Sequence, residues 1–227
     1  MDSAPDEHDL RHAYETPVAS GPGPAVSEVE RALLVETLLL VGKDSPTLCT
    51  GWDTHHLAAH LVLRESNPVG SVRAALPKLS DDAVDEVVRR TPFERLVEQF
   101  RTGPPALSFY RIPGADRRLN AIEHLIHHED VRRAQPQWTR RALPPWVHEQ
   151  IWHGLRYGGK VMLRHSPVPV LLARSDTDET LVARKGAPAV VVRGLPVELA
   201  LFASGRQQVA GVDLDGDPTD VQRLRSA

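Results

Sequence analysis

Leu119-Asn120-Ala121-Ile122-Glu123-His124-Leu125-Ile126-His127-His128-Glu129-Asp130-Val131 is the stretch on which the reading of the chain turns. At about 100° per residue, Leu119, Ile122 and Ile126 fall on one stripe, so the spacing predicts a helix with that stripe toward a core. Glu123 and His127 are four apart and stack at the edge of the stripe, with Asp130 between them in angle. His124 and His128 form a second pair four apart that points away from the stripe. With His55, they are expected at the surface. A carboxylate and an imidazole one turn apart on an inward face are what a metal ion uses.

A third ligand has to come from elsewhere. The best candidate is His60, in Gly51-Trp52-Asp53-Thr54-His55-His56-Leu57-Ala58-Ala59-His60-Leu61. Six of the 11 histidines fall in these two segments, more than composition predicts. Pairs four apart also occur at His56/His60 and His124/His128, so the residues alone leave His56 or His128 open as ligands. Asp130 is placed either to accept a hydrogen bond from a ligand histidine, fixing its tautomer, or to pair with Arg133 or Arg64.

Outward from these segments, the chain divides into three parts. Residues 1–24 are polar, end in Ser20-Gly21-Pro22-Gly23-Pro24, and read as a disordered tail. Residues 25–166 read as helices. Ser27 with Glu30 suggests a capping box for the first, and Gly42 ends it. Asp53 or Thr54 caps the second, which ends near Asn67-Pro68. Shorter helices start at Ser80-Asp81-Asp82 and Thr91-Pro92. A long loop over 104–115 is the kind often tied to function. The central helix spans 116–134, and another begins at Pro144-Pro145, with a weak point at Gly158-Gly159. From Pro167 the pattern changes to short β-branched runs at 168–173, 180–183, 189–192 and 209–214, with helices at 195–205 and 219–225. The expected fold is therefore α+β, a helical bundle over 25–166 followed by a small α+β domain over 167–227.

Composition narrows the function. The 227 residues are 41% hydrophobic and 5% aromatic, with net charge −3, which gives no footprint for nucleic acid or an anionic membrane. The acidic N-terminus lacks a signal-peptide core, and no run approaches the ~18 apolar residues of a membrane span. A cytoplasmic protein is expected. The single cysteine, Cys49, excludes an internal disulfide and reads as a small buried hydrophobe. Nucleophile-elbow, phosphate-loop and dinucleotide glycine patterns are absent, and His128-Glu129 does not continue into a metalloprotease motif because position 132 is Arg.

Gly51-Trp52, then Leu57-Ala58-Ala59-His60-Leu61, and much later Glu123 followed by His127-His128 and Asp130, resemble the metal-binding N-terminal domain of mycothiol-dependent maleylpyruvate isomerases. That domain belongs to the wider DinB/YfiT-like four-helix superfamily, and the likeness is greatest to its actinobacterial branch. The resemblance implies a DinB-like four-helix bundle with a small second domain. It implies one divalent metal, most often zinc, on His60, Glu123 and His127, with mycothiol as a possible cosubstrate. It also implies a Gly-Arg near the C-terminal helix, matched by Gly205-Arg206. Arg64 and Arg206 are thus candidates for holding an anionic part of the substrate or thiol. No catalytic acid or base is assigned.

Three protein ligands leave a fourth position open, the mark of a catalytic rather than structural zinc. The leading expectation is a metal- and thiol-dependent transferase or isomerase acting on a small electrophilic substrate. A non-catalytic metal- or ligand-binding regulatory protein is the alternative from another class. A metal-dependent hydrolase of the same fold, with water in place of thiol, is the third.

Overall fold

A computed structural model describes residues 14, 23–66, 81–104 and 115–226, of which 115–119 by backbone alone. The expected tail over 1–24, the helix end at 67–68 and the loop over 104–115 fall almost wholly outside these residues, as does the Leu119 side chain. The described chain is a mixed α+β protein. It divides into two compact units, Met1–Ala142 and Leu143–Ala227.

The N-terminal unit is helical: α1 (Val26–Val41), α2 (Thr54–Ser66), α3 (Asp81–Arg90), α4 (Phe93–Thr102) and α5 (Ala115–Arg133). Helix α1 packs along α5 and against α4, while α2 packs against α3 and α4. Their apolar faces meet in one core that includes Leu34 and Leu38 of α1, Leu57 and Leu61 of α2, Leu96 and Phe100 of α4, and Val131 of α5. Each such side chain contributes about 1.5–3 kcal/mol by leaving water.

Gly42 and Gly103 end α1 and α4 at φ +83°, with N–H groups bonded back to the Leu38 and Phe100 carbonyls at 3.0 and 3.1 Å. That left-handed turn favours glycine. Asp53 caps α2: its Oδ1 accepts from the backbone N–H of His55 (2.9 Å) and His56 (3.0 Å). The expected capping box at Ser27 and Glu30 does not form. Helix α1 starts two residues earlier, at Val26, Ala25 caps it without a side-chain bond, and the Glu30 carboxylate is buried on other partners.

Helix α5 departs most from its sequence reading. His124 and His128, expected on the outer face, are 0% and 3% exposed. The face that looked polar is the one that α1 covers, and its charges are matched from far along the chain. His124 Nδ1 lies 2.8 Å from the Ser27 carbonyl and Nε2 3.1 Å from Glu65. Arg31 binds both oxygens of Glu65, at 2.6 and 2.9 Å. His128 Nδ1 donates to Glu30 at 2.6 Å, and Thr37 Oγ1 stands 2.9 Å from Nε2.

The C-terminal unit holds α6 (Pro145–Met162), β1 (Val170–Arg174), β2 (Thr180–Arg184), β3 (Val190–Gly194), α7 (Pro196–Ala203), β4 (Asp213–Asp215) and α8 (Pro218–Arg225). The sheet order is β2-β1-β3-β4, with β1 and β3 parallel and the edge strands antiparallel to them. The sequence reading puts the change of structure near 166, whereas α6 belongs to the compact unit of the sheet because it packs on α7 and β2. Helix α6 runs unbroken through Gly158-Gly159, the expected weak point. A Cβ at Gly159 would meet Leu181 of β2 at 3.3 Å, so glycine allows a close approach of helix to strand. Strand β4 is shorter than expected because the N–H groups of Val209 and Ala210 turn back to the Arg206 carbonyl. Among the described residues no helix is long and apolar enough to cross a membrane.

Candidate metal centre

The loop between α1 and α2 is locked by its own hydrogen bonds. Pro46 bridges to Asp53, Thr54 N–H bonds to the Ser45 carbonyl at 3.0 Å, and His55 N–H to the Lys43 carbonyl at 3.1 Å. Thr47 Oγ1 donates to the Trp52 carbonyl at 2.7 Å, and Gly51 takes the left-handed turn, φ +80°. Leu48 N–H bonds to the Asp130 carbonyl of α5 at 3.1 Å, so Cys49 is held against that helix. The loop thus carries Trp52 over His60, with ring centroids 5.1 Å apart.

Beneath that loop, α2 and α5 bring His60, Glu123 and His127 together, one donor atom of each lying within 4.8 Å of the others. Glu123 Oε1 stands 3.5 Å from His60 Nε2 and 3.2 Å from His127 Nε2. Zinc–nitrogen and zinc–oxygen bonds of about 2.0–2.2 Å at a tetrahedral angle separate neighbouring donors by about 3.3–3.6 Å, so the spacing matches a cation's donors as well as direct hydrogen bonds. His60 adds a second test. Both of its ring nitrogens are closed off from solvent; Nδ1 has no hydrogen-bond partner, and Nε2 has only the long 3.5 Å contact with Glu123 Oε1. Closed-off ring nitrogens without close hydrogen bonds cost free energy, and a metal ion on Nε2 relieves the part that falls on that nitrogen. On donor type, spacing and this ring, the three residues fit a divalent ion.

The surroundings hold Glu123 and His60 in ligand form and favour the protonated ring at His127, which an ion has to displace from Nε2. Burial opposes ionisation of Glu123, but the Arg64 guanidinium 3.2 Å away and the two imidazoles outweigh it and hold the carboxyl well below the usual range. Burial also lowers His60 toward the neutral, lone-pair form. Burial would do the same to His127, but hydrogen bonding to Asp130, then Cys49 and Glu123, raises it well above an ordinary histidine. Asp130, fully buried, accepts from His127 Nδ1 at 3.0 Å. This bond leaves Nε2 facing the donor set, the usual arrangement of a carboxylate behind a ligand histidine. Arg133, its alternative partner in the sequence reading, pairs with Glu129 at 2.5 Å.

His56 is turned away onto Asp53 at 2.6 Å, and His128 faces Glu30, so neither joins the donor group. Arg64 stands at the site, bonded to Glu123 and, at 2.5 Å, to Asn120 Oδ1. Arg206 lies in the C-terminal unit, after α7, with its guanidinium on the Ser204 carbonyl at 2.6 Å. Cys49 is not the buried hydrophobe expected. It is partly exposed, and its thiol donates to Asp130 Oδ2 at 3.2 Å. Nothing around it in sequence marks it, because its partners lie some eighty positions away.

The fold and the donor set define a class: a helical domain with a His/Glu/His site, in one chain with a small α+β unit. The fold is that of the mycothiol-dependent maleylpyruvate isomerases. The structure of a histidine-to-alanine mutant of such an enzyme matches with a TM-score of 0.57 at 15% identity, covering 93% of this chain and 96% of that one. The unmutated enzyme matches with the same TM-score and coverage at 14% identity. No protein-family model matches the sequence, and no curated protein does.

Proposed function

We propose that the chain is a divalent-metal-dependent isomerase or transferase, most simply with zinc, that uses mycothiol or another low-molecular-weight thiol on a small electrophilic substrate in the cytoplasm. Its α1, α2, α4 and α5 are read as a DinB-like four-helix bundle, with His60, Glu123 and His127 as the ligands. The observation that carries this reading is the His60 ring, its nitrogens closed off from solvent without a close hydrogen bond, facing Glu123 and His127. The shared fold supports the thiol.

Two imidazoles and one carboxylate suit zinc and leave one position for a substrate-derived ligand. When bound there, the ion supplies the charge that keeps a coordinated thiol in its thiolate form. The chain's own groups do the rest. Arg64 orients Glu123, and Asp130 keeps the Nδ1 proton of His127, which frees Nε2. Trp52 and the locked loop cover His60 and limit water. Arg64 is also the cation beside the donors for an anionic substrate group, and Arg206 is retained in that role on the Gly205-Arg206 pattern alone. In isomerisation the thiol is recovered. In transfer it remains on the product.

The test is elemental analysis of protein purified without chelator, paired with turnover of small electrophilic substrates with and without mycothiol. About one equivalent of zinc and strictly thiol-dependent turnover are expected. Failure to take up metal even after zinc is added would overturn the reading, and turnover without thiol would replace it with the hydrolase.

A further inference from the structure

The imidazole of His127 has two sides, and the site described above uses one. Its Nε2 faces Glu123 and His60, while its Nδ1 faces a second group of donors, Cys49 and Asp130. One donor atom each from Cys49, His127 and Asp130 lies within 4.8 Å of the others. The separations are 4.0 Å from Cys49 Sγ to His127 Nδ1, 3.2 Å from Sγ to Asp130 Oδ2, and 3.0 Å from Nδ1 to Oδ2. A tetrahedral ion with bonds of about 2.3 Å to sulfur and 2.0–2.2 Å to nitrogen and oxygen requires separations of about 3.3–3.6 Å. Each observed distance lies within about half an ångström of that requirement, a shift within reach of side-chain rotation.

The donors differ in kind from those of the first group. A thiolate, an imidazole and a carboxylate form a softer set that favours thiophilic ions. They are also held in place: Asp130 is fully buried on α5, and the Leu48 N–H bond to the Asp130 carbonyl pins the strand of loop that carries Cys49. Cys49 is partly exposed, which provides an entry path from solvent.

We propose that Cys49, Asp130 and Nδ1 of His127 form a second metal-binding site, for a thiophilic divalent ion such as zinc in excess or cadmium. It backs onto the first site through the shared imidazole. An ion bound there displaces the Cys49 thiol proton to solvent and takes the Nδ1 lone pair, the ring proton moving to Nε2 when the first site is empty. The second site stands on its own donors, so it takes an ion whether or not His60 and Glu123 hold one.

The chain has a single cysteine, so a thiolate-to-cadmium charge-transfer band in the ultraviolet reports Cys49 alone. Titration of the full chain with cadmium is expected to raise that band to saturation, in wild type and in His60→Ala alike. Cys49→Ser abolishes it, and Asp130→Asn weakens cadmium binding about tenfold or more. No band in folded wild-type protein overturns the proposal, as does a band whose affinity is unchanged in Asp130→Asn, since that is a solvent-facing thiol binding by itself. If Asp130→Asn fails to fold, cadmium-edge X-ray absorption on His60→Ala decides. One sulfur with an imidazole in the coordination sphere supports the site, and sulfur without imidazole overturns it. Loss of zinc in His60→Ala with the band retained separates this site from the first.

Discussion

Glu30→Ala is expected to lower the stability of the helical unit by about 3–5 kcal/mol at neutral pH, the cost of breaking a buried ion pair from one side. The Glu30 side chain is wholly buried and accepts from four directions. Arg141 donates to both oxygens at 2.9 and 3.2 Å, His128 Nδ1 donates at 2.6 Å, and the Tyr14 hydroxyl donates at 2.6 Å. Alanine leaves a guanidinium, an imidazole and a phenol facing a void. Against the roughly 5–15 kcal/mol of a whole folded domain, this is a large share, and it should show as a clear fall in the urea midpoint. Glu30→Gln keeps acceptor and shape but loses charge, so a smaller fall is expected.

The same carboxylate sets a pH dependence. Burial opposes its ionisation, but Arg141 and then His128 overcome that and hold Glu30 far below the usual carboxylate range. Its contribution is therefore fully present above the unfolded-state value of about 4.3 and is lost as pH falls through the lower folded value. The gap between wild type and Glu30→Ala should be constant near neutrality and narrow progressively below about pH 4. A gap under about 0.5 kcal/mol at pH 7, the range of ordinary surface substitutions, would show that this network does not hold α1 to α5.

Removal of any one donor of the first site is expected to abolish stoichiometric zinc. His60→Ala, Glu123→Ala and His127→Ala each leave two protein ligands, short of the three that hold a catalytic zinc. The three variants should differ in stability, and the structure orders them. His60→Ala removes a ring that makes no close hydrogen bond but packs on Trp52 and stands 3.5 Å from Glu123, so the metal-free protein should be destabilised least of the three. Glu123→Ala frees Arg64, which retains Asn120. His127→Ala strips the buried Asp130 of its imidazole and should destabilise most. His56→Ala is the control and should retain the metal, because that ring lies on Asp53. Elemental analysis after dialysis reads the metal, and urea unfolding of the metal-free proteins reads the order. Zinc that survives His60→Ala and is lost in His56→Ala would move the ligand to the neighbouring turn.

What the sequence determines by itself is local. The α5 helix, the stacking of Glu123 on His127 one turn away, and the ends of α1 and α4 at Gly42 and Gly103 follow from 3.6-residue periodicity and from backbone conformations open to glycine. The β-branched runs after Pro167 likewise mark strands, because alternation of side chains is a property of the chain over a few residues. His60 was legible as a third donor through the histidine clustering and the resemblance of its segment. Only the tertiary structure decided which polar residues lie inside. His124 and His128 read as surface residues until Glu65 and Glu30, some sixty and a hundred positions away, supply their partners and α1 covers them. Glu30 itself read as a helix cap, and Cys49 as a core hydrophobe, for the same reason. Likewise α6 joined the sheet because Gly159 and Leu181 fit one another across the fold. A buried charge is tolerated only with its counter-charge beside it, and which residue stands beside it is a property of packing, not of neighbours in sequence.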